Sequence, residues 1–244
     1  MLLVLCRSVG GDKSSGRPLF HSKIRCLHSL NRALQLSGIT YEVEYLNDTV
    51  IPGDRLSVME KTGRVTSLGG LGNSGSYRYA LSRAVQSTSD WVYFAEDDYL
   101  YCDDAFGVMW ESLKAIPKCD YITLYDHPDR YTRSDDAAGG RSHLAWAAGR
   151  HWRTVESTCM TFAARRNALA RDAWAHRLGT FPRTPRDREI WRLTLGLGKY
   201  CWKFPKRRLW SPMPSLATHM AASCMAYGVD WESVANAADR GAGS

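Results

Sequence analysis

The chain has 244 residues, 44% of them hydrophobic and 23% charged, and a net charge of +7, which describes a globular protein with one full core and excludes a disordered or fibrous chain. Its seven cysteines are odd in number and lack CxxC spacing, so they read as reduced core residues and argue against a disulfide scaffold. The cysteines lead to the expectation of a cytoplasmic protein; the apolar opening MLLVLC breaks at Arg7, too short for a signal peptide or a membrane span, and no later run reaches transmembrane length.

In chain order, Leu2 to Leu5 reads as a buried strand. The Gly/Ser loop from Ser8 to Pro18 that follows is longer than the usual strand-to-helix connection, a length that often signals function. Apolar residues at helical spacing (Ile24, Leu27, Leu30, Leu34) predict a helix over 20–37, with Gly38 as its stop. Tyr41 to Leu46 alternates into a second strand ending at Asn47 and Asp48, followed by a short helix near 53–61 and a third strand near 64–68. Glycines 69, 70, 72 and 75 then bracket Asn73 ahead of an amphipathic helix from Ser76 to Ser87, a turn that offers backbone N–H groups to an anion.

The strand Trp91 to Asp98, WVYFAEDD, organises the chain. Its aromatic and β-branched residues suit a buried strand, and it ends in three adjacent carboxylates. In open α/β sheets that end borders the ligand crevice, and clustered carboxylates repel one another unless a cation such as Mg²⁺ or Mn²⁺ sits among them. Beyond it a helix is predicted over Cys102 to Ile116, a strand over Tyr121 to Tyr125, and a long mobile loop over Asp126 to Gly149. A strand over His151 to Phe162, a helix over 164–176, a helix opening at Pro185 to Asp187 and ending at Gly196, and a strand over Tyr200 to Phe204 follow. The two prolines of SPMPSLATHM keep it extended, and the small polar tail from Asn236 to Ser244 reads as disordered. The order implies a mostly parallel sheet joined by right-handed crossovers, without internal repeats.

RCLHSLNRAL, YLND, LGNSGSYRYALSRAVQSTSDWVYFAEDD, RDREIWRLTLGLGKY and PSLATH together, spread over roughly residues 1–220, resemble a glycosyltransferase of the GT-A fold, most nearly family 2. The resemblance implies an α/β domain, Rossmann-like, over residues 1–235. Its sheet is mostly parallel, with helices on both faces and a small acceptor-side subregion. Residues 1–105 would form the nucleotide-sugar half and 120–220 the acceptor half. It assigns Asp98 and His219 to a Mn²⁺ or Mg²⁺ ion, and Arg7, Asp48, Asn73, Glu96 and Asp97 to the nucleotide-sugar. Asp187 becomes the catalytic base, although Arg186 stands where the family carries an acid. Trp146 and Trp152 fall on the acceptor side, where flat rings suit the apolar faces of sugars.

The chemistry gives each type a reason. Charge builds on a departing diphosphate, a divalent cation neutralises it, and the acceptor hydroxyl loses its proton to a carboxylate. The expected activity is transfer from a UDP-, GDP- or dTDP-linked donor to a carbohydrate, lipid-linked or small-molecule acceptor, with inversion. A retaining transferase, a sugar-nucleotide pyrophosphorylase and a non-catalytic carbohydrate-binding or partner protein remain alternatives. The excess positive charge favours anionic partners. Lys206, Arg207 and Arg208 would suit a diphosphate or peripheral docking at an anionic membrane, while no zinc, RNA-binding or helix-turn-helix pattern points to nucleic acid.

Overall fold

The computed structural model describes residues 1–12, 15–132, 142–181, 185–203 and 205–240. β1 (Leu2–Ser8), β2 (Tyr41–Asn47), β3 (Arg64–Ser67) and β4 (Trp91–Glu96) pair in parallel in the order β3-β2-β1-β4. Their crossovers are α1 (Lys23–Leu36), α2 (Gly53–Thr62) and α3 (Gly72–Gln86). A turn carrying Asp97 and Asp98 leads from β4 into β5 (Tyr99–Tyr101) and then α4 (Ala105–Ala115). The second half contributes β6 (Tyr121–Ile122), the single turn α5 (Asp129–Thr132), β7 (Leu144–Ala147), β8 (Arg150–Val155), β9 (Phe162–Arg165) and α6 (Arg166–Gly179). It ends with α7 (Asp187–Leu195), β10 (Leu209–Met213), β11 (Ala217–His219) and α8 (Trp231–Arg240). The main sheet continues past β4 as β9-β6-β10-β8-β7, with β9 antiparallel to both its neighbours, and β11 pairs with β5 in a separate ribbon.

Strand alternation builds two cores. Val4, Cys6, Trp91, Tyr93 and Ala95 point to the α1 and α4 face, while Leu3, Leu5, Val92 and Phe94 point to the face covered by α3, α6 and α7. A strand buried on both faces reads as a continuous apolar run, which is why WVYF shows no polar alternation. Gly38 adopts φ 65° just past α1, and Gly196 adopts φ 69° just past α7, as helix stops in the left-handed region do.

Several boundaries differ from expectation. α3 starts at Gly72, so Asn73 lies inside the helix rather than in the turn before it. The expected strand over 151–162 is two strands, β8 and β9, which pair with different neighbours. The loop over 126–149 contains α5 and β7, and residues 133–141 of it lie outside the described residues. Gly198–Tyr200 form a 3-10 turn and residues 201–203 carry no strand, and Phe204 lies outside the described residues. The expected tail is helical to Arg240, because Trp231, Ala235 and Ala238 repeat at helical spacing and bury against the α1 side of the sheet; residues 241–244 lie outside the described residues.

Candidate active site

The ends of β1, β4 and β11 and the starts of α3 and α7 converge on the acids. The β1–β4 register sets Arg7 opposite Glu96, so the guanidinium reaches the Glu96 carboxylate directly. Its other nitrogen donates to the Asn73 carbonyl at 2.8 Å, to Asn73 Oδ1 at 2.9 Å and to Ser76 Oγ at 3.1 Å, with the group lying over the Tyr77 ring. Arg7 therefore ties the acid strand to the first turn of α3. Burial pushes the Glu96 carboxyl up, and Arg7 opposes that shift.

Asp98 and His219 meet although 121 positions separate them. The β5–β11 ribbon pairs His219 with Tyr99, the residue after Asp98, and the imidazole packs against the Tyr99 ring at 5.1 Å between centroids. Its Nε2 lies 3.1 Å from Asp98 Oδ2. Burial alone would raise Asp98, but hydrogen bonds and charge from His219 and Arg17 outweigh it and hold the carboxyl well below its usual range. Burial likewise disfavours the charged imidazole, yet Asp98 outweighs it and pushes His219 up to about 9.

Asp187 opens α7, near enough to Glu96 for their charges to interact. Burial pushes its carboxyl up to about 7, the charge of Glu96 adds to the shift, and Arg7 and a backbone N–H oppose it. A carboxylate titrating near neutrality is matched to accepting a proton.

The spacing of Asp98 Oδ2 and His219 Nε2 suits a divalent ion. Two ligands at right angles around Mg²⁺ or Mn²⁺ sit about 3.0 Å apart when each bond is about 2.1 Å. Among the described residues no third His, Cys, Asp or Glu joins them. That is compatible with these ions, which keep waters and take phosphate oxygens as further ligands.

Other expected residues make contacts of their own within the fold. Asp48 caps α3: its two carboxylate oxygens accept the N–H groups of Leu71 at 2.6 Å and Gly72 at 2.8 Å, and the residue is buried. Asp97 is also buried, and its Oδ2 accepts from Ser8 Oγ, from Val9 N at 3.3 Å, from Lys23 Nζ at 3.1 Å and from Arg55 at 3.5 Å. It anchors the strand ends. Trp152 is 0% exposed and donates its Nε1 to the Ala147 carbonyl at 3.2 Å, so core packing replaces the expected acceptor contact. Trp146 is 65% exposed and stands edge-on to His151 beside a cavity near the β7–β8 turn. The basic triplet does not act as one cluster: Arg207 is spent on Asp172 and Asp120, and Lys206 and Arg208 precede β10, which runs parallel to β4. The triplet is therefore at the end of the sheet away from the acids. No helix of the described residues is long and apolar enough to cross a membrane.

Sequence reasoning missed Arg17, Lys23, Arg55 and Ser76. Lys23 gives a faint signal, a lysine in the first turn of an otherwise half-apolar helix. Arg17 and Arg55 have no local signature, because their partners are distant in sequence, and Ser76 meets Arg7 only in the fold.

No protein-family model and no curated protein matches the chain. Solved structures share its fold. S. aureus TarS 1–349 matches with a TM-score of 0.53 at 12% identity, over 86% of this chain and 60% of that one. The same protein in complex with UDP-GlcNAc matches at 0.52 and 12% identity, over 86% and 58%, and its UDP complex at 0.51 and 13%, over 86% and 60%. The chain thus spans about 60% of the length of these structures. The shared architecture is the GT-A fold of glycosyltransferases, as the sequence resemblance implied.

Proposed function

We propose that this GT-A domain transfers a sugar from a nucleoside-diphosphate donor to an acceptor hydroxyl, with inversion at the anomeric carbon and with Mn²⁺ or Mg²⁺ as its cofactor. The observation that carries the reading is the Asp98–His219 pair, whose 3.1 Å spacing fits two adjacent ligands of a divalent ion at the end of the acid strand. Such an ion, when bound, supplies Lewis-acid neutralisation of the charge on the departing diphosphate.

The chain's own groups account for the rest. As the acceptor oxygen bonds to the anomeric carbon, the bond from that carbon to the diphosphate breaks, and the acceptor proton passes to Asp187. Its raised pKa supports that role, since a base titrating near 7 is both free enough and strong enough at neutral pH. Arg7 holds Glu96 and Asn73 in one network, which fixes the rim against which the donor sugar would lie. Trp146 offers an exposed ring for the acceptor. The donor class draws further support from the TarS structures solved with UDP and with UDP-GlcNAc.

A thermal-shift series with UDP-, GDP- and dTDP-sugars, each with Mn²⁺ or with EDTA, tests the reading. One donor should raise the melting temperature in Mn²⁺ only, and Asp98→Ala should abolish that rise while unfolding cooperatively. Donor stabilisation that survives both EDTA and Asp98→Ala refutes it.

A further inference from the structure

Asp98 already faces a cation supplied by the chain. Arg17 donates one guanidinium N–H to Asp98 Oδ2 at 2.8 Å and another to the Met220 carbonyl at 2.6 Å. The segment that carries it is held independently, because Ala222 N donates to the Gly16 carbonyl at 2.8 Å. Gly16 adopts φ 72°, a conformation that favours glycine. The Arg17 and Asp98 side chains are only 13% and 18% exposed, so this is a shielded pair and not a solvated surface contact.

The oxygen involved is the important detail. Arg17 and His219 both approach Oδ2, the atom that the metal reading assigns to the ion. A carboxylate oxygen offers about two lone pairs, and both are used here. A dication bound to that oxygen and to His219 Nε2 would also stand next to a guanidinium of like charge. The ion would take the lone pair that His219 now uses, so it is like charge that sets Arg17 against it at Oδ2.

We propose that Arg17 is the occupant that a divalent cation displaces from Asp98 Oδ2, a step that rests on Asp98 and His219 being the metal seat. The resting site keeps the shielded acid neutralised with its own guanidinium. Metal entry would then exchange one cation for another: the Nε2 proton that His219 now donates to Oδ2 is released to solvent, and Arg17 leaves Asp98 and the Met220 carbonyl only when the dication arrives. Metal affinity is thereby set lower than the bare Asp98–His219 pair would give, since binding must first break a charge-assisted hydrogen bond.

The test is binding of Mn²⁺ alone, followed by the loss of free-ion paramagnetic resonance signal, in the full chain and in Arg17→Gln and Asp98→Asn. Arg17→Gln is expected to tighten the Asp98-dependent site on the order of tenfold, which is the loss of one competing charge-assisted contact. Its metal-free melting temperature should fall while the rise on adding Mn²⁺ grows. A residue that only braced the loop would weaken metal binding when removed, so tightening separates the two roles. Unchanged or weaker Mn²⁺ binding in Arg17→Gln, with Asp98→Asn still abolishing it, overturns the displacement and leaves the metal seat intact. Mn²⁺ binding that is absent, or indifferent to Asp98→Asn, overturns the metal seat and the displacement together.

Discussion

Asp187→Asn should make the protein more stable at alkaline pH while removing its activity. The folded protein raises this carboxyl from 3.8 to about 7, through burial first and the charge of Glu96 second. The sign follows from linkage: between those values the folded state holds a proton that the unfolded state has lost. The carboxyl's favourable contribution is fully present below about pH 4 and is lost as pH rises through about 7. A shift of about 3 units at about 1.4 kcal/mol each sets a ceiling near 4 kcal/mol, and partial exposure of Asp187 reduces it to about 2 kcal/mol. Asparagine keeps the shape and never ionises. Urea unfolding of both proteins at pH 5 and pH 8 gives the measurement, with the variant's advantage growing between the two. A variant no more stable at pH 8, or an advantage identical at both values, would show that Asp187 is not held in an environment hostile to its charge.

If Asp187 is the base as proposed, the rate of transfer should fall as pH drops below about 7, and a flat profile from pH 5.5 to 8 would remove it from that role. Asp97→Asn strips the buried cations Lys23 and Arg55 of their shared carboxylate and should cost about 3–5 kcal/mol in urea unfolding, where a loss under about 1 kcal/mol would mean the cluster is not structural. The two tryptophans should separate cleanly. Trp152→Ala leaves a core cavity and should cost about 3–5 kcal/mol, whereas Trp146→Ala should change stability by less than about 0.5 kcal/mol and instead raise KM for the acceptor. Equal stability losses, or an unchanged acceptor KM in Trp146→Ala, would count against this division.

Much of the site was legible because its chemistry is local. Glu96 to Asp98 follow an apolar run directly, Asp187 follows a proline-marked helix start, and Gly38 and Gly196 stop helices at the expected places. What the sequence could not rank was which acid serves which purpose. Asp48, Asp97 and Asp98 look alike in the chain, yet one caps a helix, one neutralises buried cations and one faces the imidazole. The helix over 231–240 was hidden because its small residues carry little hydrophobic signal until Trp231 finds the core beside α1.

The sequence by itself determined the alternating elements, the two-faced apolar strands and the position of the acids at a strand end, because periodicity and strand burial act over a few residues. Only the tertiary structure decided that Arg17 reaches Asp98 across 81 positions, and that Trp152 lies inside while Trp146 lies outside. Those pairings depend on sheet register and on the path of the segments after β1 and β11, which bring distant residues to one point without marking either locally.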